Sequence, residues 1–304
     1  MGVAAAADAA YLEQRVQKEA AVALLGEDAF EATQLAKLVA ADDKFGYSVS
    51  VSGSLIVVGA NYDDDKGRDS GSAYVFEKGA DGAVTQLAKL TAADGAANDN
   101  FGWSVAVSGS LIVVGATYDD DKGRDSGSAY VFEKGADGAV TQLAKLTAAD
   151  GAANDNFGWS VAVSGSLIVV GATYDDDKGS SSGSAYVFEK GADGAVTQLA
   201  KLTAADGAAG DQFGWSVAVS GSLIVAGARY DDDKGSSSGS AYVFEKGADG
   251  TVTQLAKFTA ADGAAHDYFG RSVAMSGSLI VVGELYDDDK GSNSGSAHVF
   301  QTNR

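Results

Sequence analysis

The sequence predicts an all-β fold, a five-bladed β-propeller of four-stranded antiparallel blades closed by the N-terminal strand, on three observations. First, a unit of 56 residues recurs, with its Phe-Gly pair falling at Phe45, Phe101, Phe157, Phe213 and Phe269. A fixed period of this size marks an array in which each unit buries its apolar faces only against its neighbours. Second, every unit divides into four strand-like stretches separated by turns rich in Gly, Asp and Ser. Third, one strand-like stretch is left over at the start of the array and one is lacking at its end.

Residues 85 to 140 serve as the representative unit. Phe101 to Val107 alternates large residues with small ones, the period-two mark of a strand, and a Ser108-Gly109-Ser110 turn follows. Leu111 to Ala116 is continuously apolar, as in a strand packed on both faces. Ser128 to Phe132 has the aromatic and β-branched content of a third strand, and Val140 to Leu146 is more polar and reads as the outer one. Four such strands joined by short loops make a propeller blade.

The ends account for closure. Thr33 to Val39 is a lone fourth-type strand ahead of the first Phe-Gly, and the array stops after the third-type strand Ser296 to Phe300. Placing the first beside the second completes five blades and removes two exposed sheet ends. Residues 4 to 25 have helix-forming composition, with Leu12, Val16 and Ala20 at a spacing of four and Gly26 as a stop. The expected organisation is an N-terminal helical extension over 1–32 and the propeller over 33–304.

Composition excludes several classes. No stretch approaches the roughly 20 apolar residues that span a bilayer. The N-terminal alanines are interrupted by Asp8, Glu13, Arg15 and Lys18, so no secretory signal is visible. Without cysteine there is no disulfide framework and no thiolate metal site. A net charge of −20 repels nucleic acid and favours cations or basic partners. In an up-and-down blade the second-to-third and fourth-to-first loops emerge on one face, and these loops carry the net charge, four negative charges in the representative unit.

Phe101-Gly-Trp-Ser-Val-Ala, then Val114-Gly-Ala-Thr, then Gly127-Ser-Ala-Tyr-Val-Phe recur in order through all five units, and this series resembles the FG-GAP repeat family of the integrin α-subunit propeller and of tandem-repeat proteins from bacteria and algae. The resemblance implies a propeller, an interaction or adhesion role, and an extracellular or cell-surface setting. Integrin-type propellers have seven blades where this chain supplies five. The family's calcium loop lies between the first and second strands, where this chain has only the Ser108-Gly-Ser turn.

Acidic clusters occur instead between the second and third strands. Calcium, which takes six to eight oxygens, is the candidate ion, and its candidate ligands are the first and third carboxylates of each cluster: Asp63, Asp65, Asp119, Asp121, Asp175, Asp177, Asp231, Asp233, Asp287 and Asp289. The alternative is a solvated turn in which the lysine before each glycine, such as Lys122, neutralises the carboxylates. A second metal geometry would add the Asp two residues before each Phe-Gly, namely Asp43, Asp99, Asp155, Asp211 and Asp267, unless each caps its own turn.

Trp103, Trp159 and Trp215 alternate in phase with their apolar neighbours and are expected in the core, the other reading being a sugar-stacking ring. A two-residue hairpin at Gly109-Ser110 would set Trp103 opposite Ala116 and, in the fifth unit, Arg271 opposite Glu284 as a charge pair. Catalysis has little to work with, since the only histidines, His266 and His298, are single departures from the repeat. The expected function is a non-catalytic protein-interaction, adhesion or scaffold propeller. Its acidic face or N-terminal helix would meet a protein partner, extracellular matrix or glycan. A glycan-binding lectin and a carboxylate-based hydrolase are the alternatives.

Overall fold

The computed structural model describes residues 33–40 and 44–303, so the N-terminal helix expected over residues 4 to 25 lies outside the described residues. The described chain is all-β, with nineteen strands in five antiparallel sheets. The first blade is β1 (Val49–Ser52), β2 (Leu55–Ala60), β3 (Ser72–Lys78) and β4 (Val84–Leu90). The second is β5 (Phe101–Ser108), β6 (Leu111–Ala116), β7 (Ser128–Lys134) and β8 (Val140–Leu146). β9 (Phe157–Ser164), β10 (Leu167–Ala172), β11 (Ser184–Lys190) and β12 (Val196–Leu202) make the third. β13 (Phe213–Ser220), β14 (Leu223–Ala228), β15 (Ser240–Lys246) and β16 (Val252–Phe258) make the fourth. The last blade has three strands, β17 (Phe269–Ser276), β18 (Leu279–Glu284) and β19 (Ser296–Gln301). Among the described residues no helix is long and apolar enough to cross a membrane.

Each sheet is a meander in sequence order, and in the three middle blades the apolar second strand is buried along its whole length. The core lies between blades rather than within them. Leu55, Val57, Ala73 and Val75 of the first blade pack against Phe101, Ile112, Val114, Tyr130 and Phe132 of the second, and the same arrangement recurs at the following junctions. Burying a side chain of this kind contributes roughly 1.5–3 kcal/mol and a hydrogen bond about 1 kcal/mol, so apolar contact holds a junction together while hydrogen bonds set its register. On the strand-three ends, Lys134 reaches back to Glu77, Lys190 to Glu133 and Lys246 to Glu189 at 3.1–3.2 Å, pairing the charge of neighbouring blades.

The Phe-Gly pair makes the junction. Phe157 forms a parallel bridge with Gly127 of the preceding blade and donates its backbone N–H to Ser126 O at 2.9 Å. Gly127 has φ +81°, and a Cβ on it would run into the Phe157 backbone. Gly115, the central residue of the Val-Gly-Ala stretch, admits the Gly158 carbonyl in the same way. The two glycines therefore let one backbone lie against the next.

Two expectations are corrected. The hairpin register holds from Ser108 opposite Leu111 to Ser104 opposite Gly115, but a bulge at Gly102-Trp103 then sets Phe101, not Trp103, opposite Ala116. The bulge re-aims the next side chain, so Trp103, Trp159 and Trp215 are half-buried and line a cavity of about 360 Å³ shared with Tyr47 and Arg271 instead of joining the core. Their rings follow one another at 4.9 and 4.6 Å between centroids. By the same bulge Phe269 stands opposite Glu284, and Arg271 sits at 5.1 Å over the Trp215 ring. Glu284 bonds to His298 at 2.7 Å and to Ser296 at 3.0 Å.

Closure by the N-terminal strand is not shown among the described residues. Residues 33–40 are irregular, and β19 has β18 as its one sheet neighbour. Leu38 and Ala40 pack on Val58, Ala60, Tyr74 and Phe76 of the first blade, the position that Leu90 and Ala92 hold on the second. The faces at the two ends of the array are exposed: Val51 is 67% accessible against 7% for its counterpart Val107, and Val299 is 65% accessible against 0% for Val131.

Gly127→Ala is expected to destabilise the protein by about 2–4 kcal/mol, because strain at positive φ adds to overpacking against Phe157. Urea unfolding checks this, with Gly138→Ala, which has positive φ but open space around it, losing only the strain component.

Candidate functional site

The acidic loops connect the second and third strands of each blade. In the second blade Asp119 is 4% exposed, and its Oδ1 accepts from the Asp121 backbone N–H at 3.1 Å and from Ser128 Oγ at 3.0 Å. Asp120 Oδ1 accepts from the Asp125 N–H at 2.7 Å, so the first two carboxylates fold the loop on itself. The buried Ser126 hydroxyl bonds to the Asp119 carbonyl at 3.1 Å and accepts from the Lys122 N–H at 3.0 Å. Asp and Ser are suited to this because their short polar side chains bond to nearby backbone groups.

The charge of the loop is met from another strand. Lys145, on β8, places Nζ at 3.0 Å from Asp119, 2.6 Å from Asp121 and 2.7 Å from Asp94. Tyr130 sets its hydroxyl within 3.0 Å of both Asp94 and Asp119, with its ring 5.3 Å from the ammonium. Lys201 gathers Asp150, Asp175 and Asp177 at 2.6–2.8 Å, and Lys257 gathers Asp206, Asp231 and Asp233 at 2.6–3.0 Å. Lys89 meets Asp63 and Asp65, each at 2.6 Å. The lysine expected to do this, the one before the glycine, does not: Lys122 Nζ makes no ion pair with a described residue, and its chain is exposed.

Eight of the ten candidate ligands are thus brought together in pairs, each pair around one ammonium. The ninth and tenth, Asp287 and Asp289, are different. The last blade has no fourth strand and hence no such lysine; Asp287 Oδ1 accepts from the Asp289 N–H at 3.0 Å, and both carboxylates are without an ion pair among the described residues. Among those residues no group of three or more His, Cys, Asp or Glu is arranged to hold a metal ion.

The second set sits in the fourth-to-first loops. Asp99, Asp155, Asp211 and Asp267 each accept the N–H three residues back, from Ala96, Ala152, Ala208 and Ala264, at 2.7 Å. Asp43 lies outside the described residues. Burial raises Asp99, Asp155 and Asp211 to about 6, with the neighbouring acidic triplet pushing the same way. Desolvation opposes ionisation of Asp94, Asp150 and Asp206 as well, but the lysine and tyrosine bonds outweigh it and hold these carboxyls below the usual range. Burial next to Asp119 raises the Tyr130 phenol.

Sequence reasoning missed Lys89, Lys145, Lys201 and Lys257, and with them Asp94, Asp150 and Asp206. The signal was present: a lysine recurs at the same place in the outer strand of every complete blade. Only the antiparallel pairing of β7 with β8, which sets Lys145 opposite Tyr130, turns that recurrence into a contact.

Comparison with known families places an FG-GAP repeat over residues 32–76, 84–132, 140–188, 196–244 and 252–300. No curated protein matches the chain.

Two measurements test the rim. Lys145→Met is expected to cost about 3 kcal/mol, because it leaves Asp119 buried without its counter-ion; thermal or urea unfolding reads this. The pH dependence has two opposite limbs. Asp99, Asp155 and Asp211 have folded values above the ordinary 3.8, so the folded state takes up protons first and stability rises as pH falls from about 6 to 4. Asp94, Asp150 and Asp206 have depressed values, so their contribution is lost at still lower pH. Melting temperature should therefore pass through a maximum in mild acid, and replacing Asp99, Asp155 and Asp211 by Asn should flatten the limb above pH 4.

Proposed function

Because the chain belongs to the FG-GAP repeat family, we propose that it is a non-catalytic interaction or adhesion scaffold that presents its acidic rim to a basic partner surface. The observation that carries this reading is the repetition of one built loop. In every blade the middle and third carboxylates, such as Asp120 and Asp121, are exposed, and in the four complete blades the first is buried and fixes the loop. The same surface is therefore offered several times over on a rigid frame. Repeated weak contacts of this kind gain strength through effective concentration rather than through a single deep pocket. A hydrolase would need one asymmetric pair of carboxylates free to titrate, whereas the four complete blades hold theirs on lysine.

Divalent-cation binding narrows to the last blade. In the other four a metal would have to displace an ammonium that already meets two or three carboxylates, whereas Asp287 and Asp289 hold none. Two carboxylates completed by water fit weak, extracellular-type calcium affinity of about millimolar.

The rim is tested by titrating the protein with a Lys/Arg-rich peptide at rising salt. Binding should weaken with salt and fall at least tenfold when Asp64, Asp120, Asp176 and Asp232 are all changed to Asn. Retention of binding in that variant would overturn the reading. For calcium, calorimetry should show heat at millimolar ion that Asp287→Asn with Asp289→Asn abolishes; no heat, or heat that survives, ends the idea.

A further inference from the structure

The four internal junctions are copies of one interface. At each, the Phe of the incoming blade bridges a Gly of the preceding blade: Phe101 with Gly71, Phe157 with Gly127, Phe213 with Gly183 and Phe269 with Gly239. Each Phe N–H donates to the carbonyl of the residue before that Gly, at 2.8–2.9 Å. Ser48, Ser104, Ser160 and Ser216 donate through Oγ to the carbonyl of the following blade's Phe-Gly glycine, every one at 2.8 Å. Ser52, Ser108, Ser164 and Ser220 accept the N–H of a turn glycine in that blade at 2.9–3.1 Å.

A fifth copy of the receiving half, on the last blade, is filled by none of the described residues. Arg271, Ser272, Gly283, Glu284, Gly295 and Ser296 line a cavity of about 460 Å³ where the internal slots hold a Phe-Gly. A Cβ on Gly115, Gly171 or Gly227 would meet the next blade's carbonyl, whereas on Gly283 it would meet only Ser272 of its own sheet. Glu284 occupies the place of Ala116, Ala172 and Ala228, and its Oε1 is buried without a partner. Around the slot Leu279 and Val299 are 44% and 65% exposed, against 4% for Leu111 and 0% for Val131.

The matching inserting half stands free on the first blade. Phe45 is already seated on Tyr74 and Phe76, at 5.3 and 6.1 Å between ring centroids, as Phe101 is on Tyr130 and Phe132 at 5.3 and 6.0 Å. Val49 and Val51 beside it are 69% and 67% exposed, whereas Val105 and Val107 in the same place are 8% and 7%. We propose that the slot of the last blade takes the Phe45-Gly46 edge of a second copy of this chain, joining copies head to tail.

A second copy fits better than the chain's own first blade for a geometric reason. The four junctions agree in their hydrogen bonds to within about 0.2 Å, so the arc of the array follows from the junction itself, and that arc leaves both terminal faces exposed. Drawing the two faces together within one chain would deform packed interfaces that resist continuous change. Docking a second copy reproduces a junction the chain already makes four times. Such a contact is heterologous, each copy keeping one free half, so assembly extends beyond a dimer. The acidic charge opposes it, and salt should favour it.

Val51→Asp blocks the inserting half and Val299→Asp the receiving half, and both residues are exposed, so circular dichroism should show each variant folded. Sedimentation of the unaltered protein at moderate salt should give a mass that climbs with concentration past two chains. Each variant alone should sediment as one chain, and an equimolar mixture should double in mass and stop there, since one intact half remains on each partner. A single-chain mass for the unaltered protein at every concentration, as a ring closed on itself would give, overturns the proposal. So does a mixture that stays at one chain, or a dimer formed by either variant alone, which would mean that like faces pair.

Discussion

The insertion of the Phe-Gly pair into the preceding blade, made at four junctions, is the contact on which the rest of this structure depends. A single four-stranded sheet with apolar faces cannot remain dispersed in water, and the repeat supplies both halves of the cover: a large aromatic residue to fill the gap and glycines to let the backbones meet. The bulge that positions the Phe also throws the following Trp out of the sheet toward the inner cavity. One local irregularity therefore decides the junction and the lining of that cavity together.

The rim is organised by a second contact of the same reach. In the second to fourth blades a lysine on the outer strand holds three carboxylates drawn from two loops, and in doing so it ties the end of one blade to the loop that begins it. It takes the place that a bound cation would occupy in such a cluster, with the difference that an ammonium is covalently part of the chain and cannot be lost to dilution. What is left for a partner is the exposed outer carboxylates, repeated at regular intervals on a stiff support. This is why a binding surface is a better account of the acidity than a reactive centre.

The last blade departs from the others at the positions where its surroundings differ. Where internal blades have Trp, Ala and Tyr, it has Arg271, Glu284 and His298; Arg271 and Glu284 line a slot that no described blade fills, and His298 bonds to Glu284 from the neighbouring strand. Glu284 is desolvated, which raises its carboxyl, and the bonds from His298 and Ser296 offset part of that cost. The sequence pattern linked Arg271 with Glu284 and set His298 apart; it paired the wrong ones, because a hairpin count that is right at Ser108 and Leu111 is two residues out beyond the bulge.

The strands, their order, the turn at Gly109-Ser110 and the apolar second strand were legible in the amino acids, since period-two alternation and turn glycines are local properties of the chain. Loop order also placed the acidic loops of a blade side by side, and Asp94 and Asp119 do meet, but on Lys145, which that reading did not count among them. The bulge, the choice of Lys145 over Lys122 as counter-ion, and the exposure of both end faces were decided only in three dimensions. Each depends on which backbone lies beside which, and a repeat in sequence records that a contact is made many times without recording with whom.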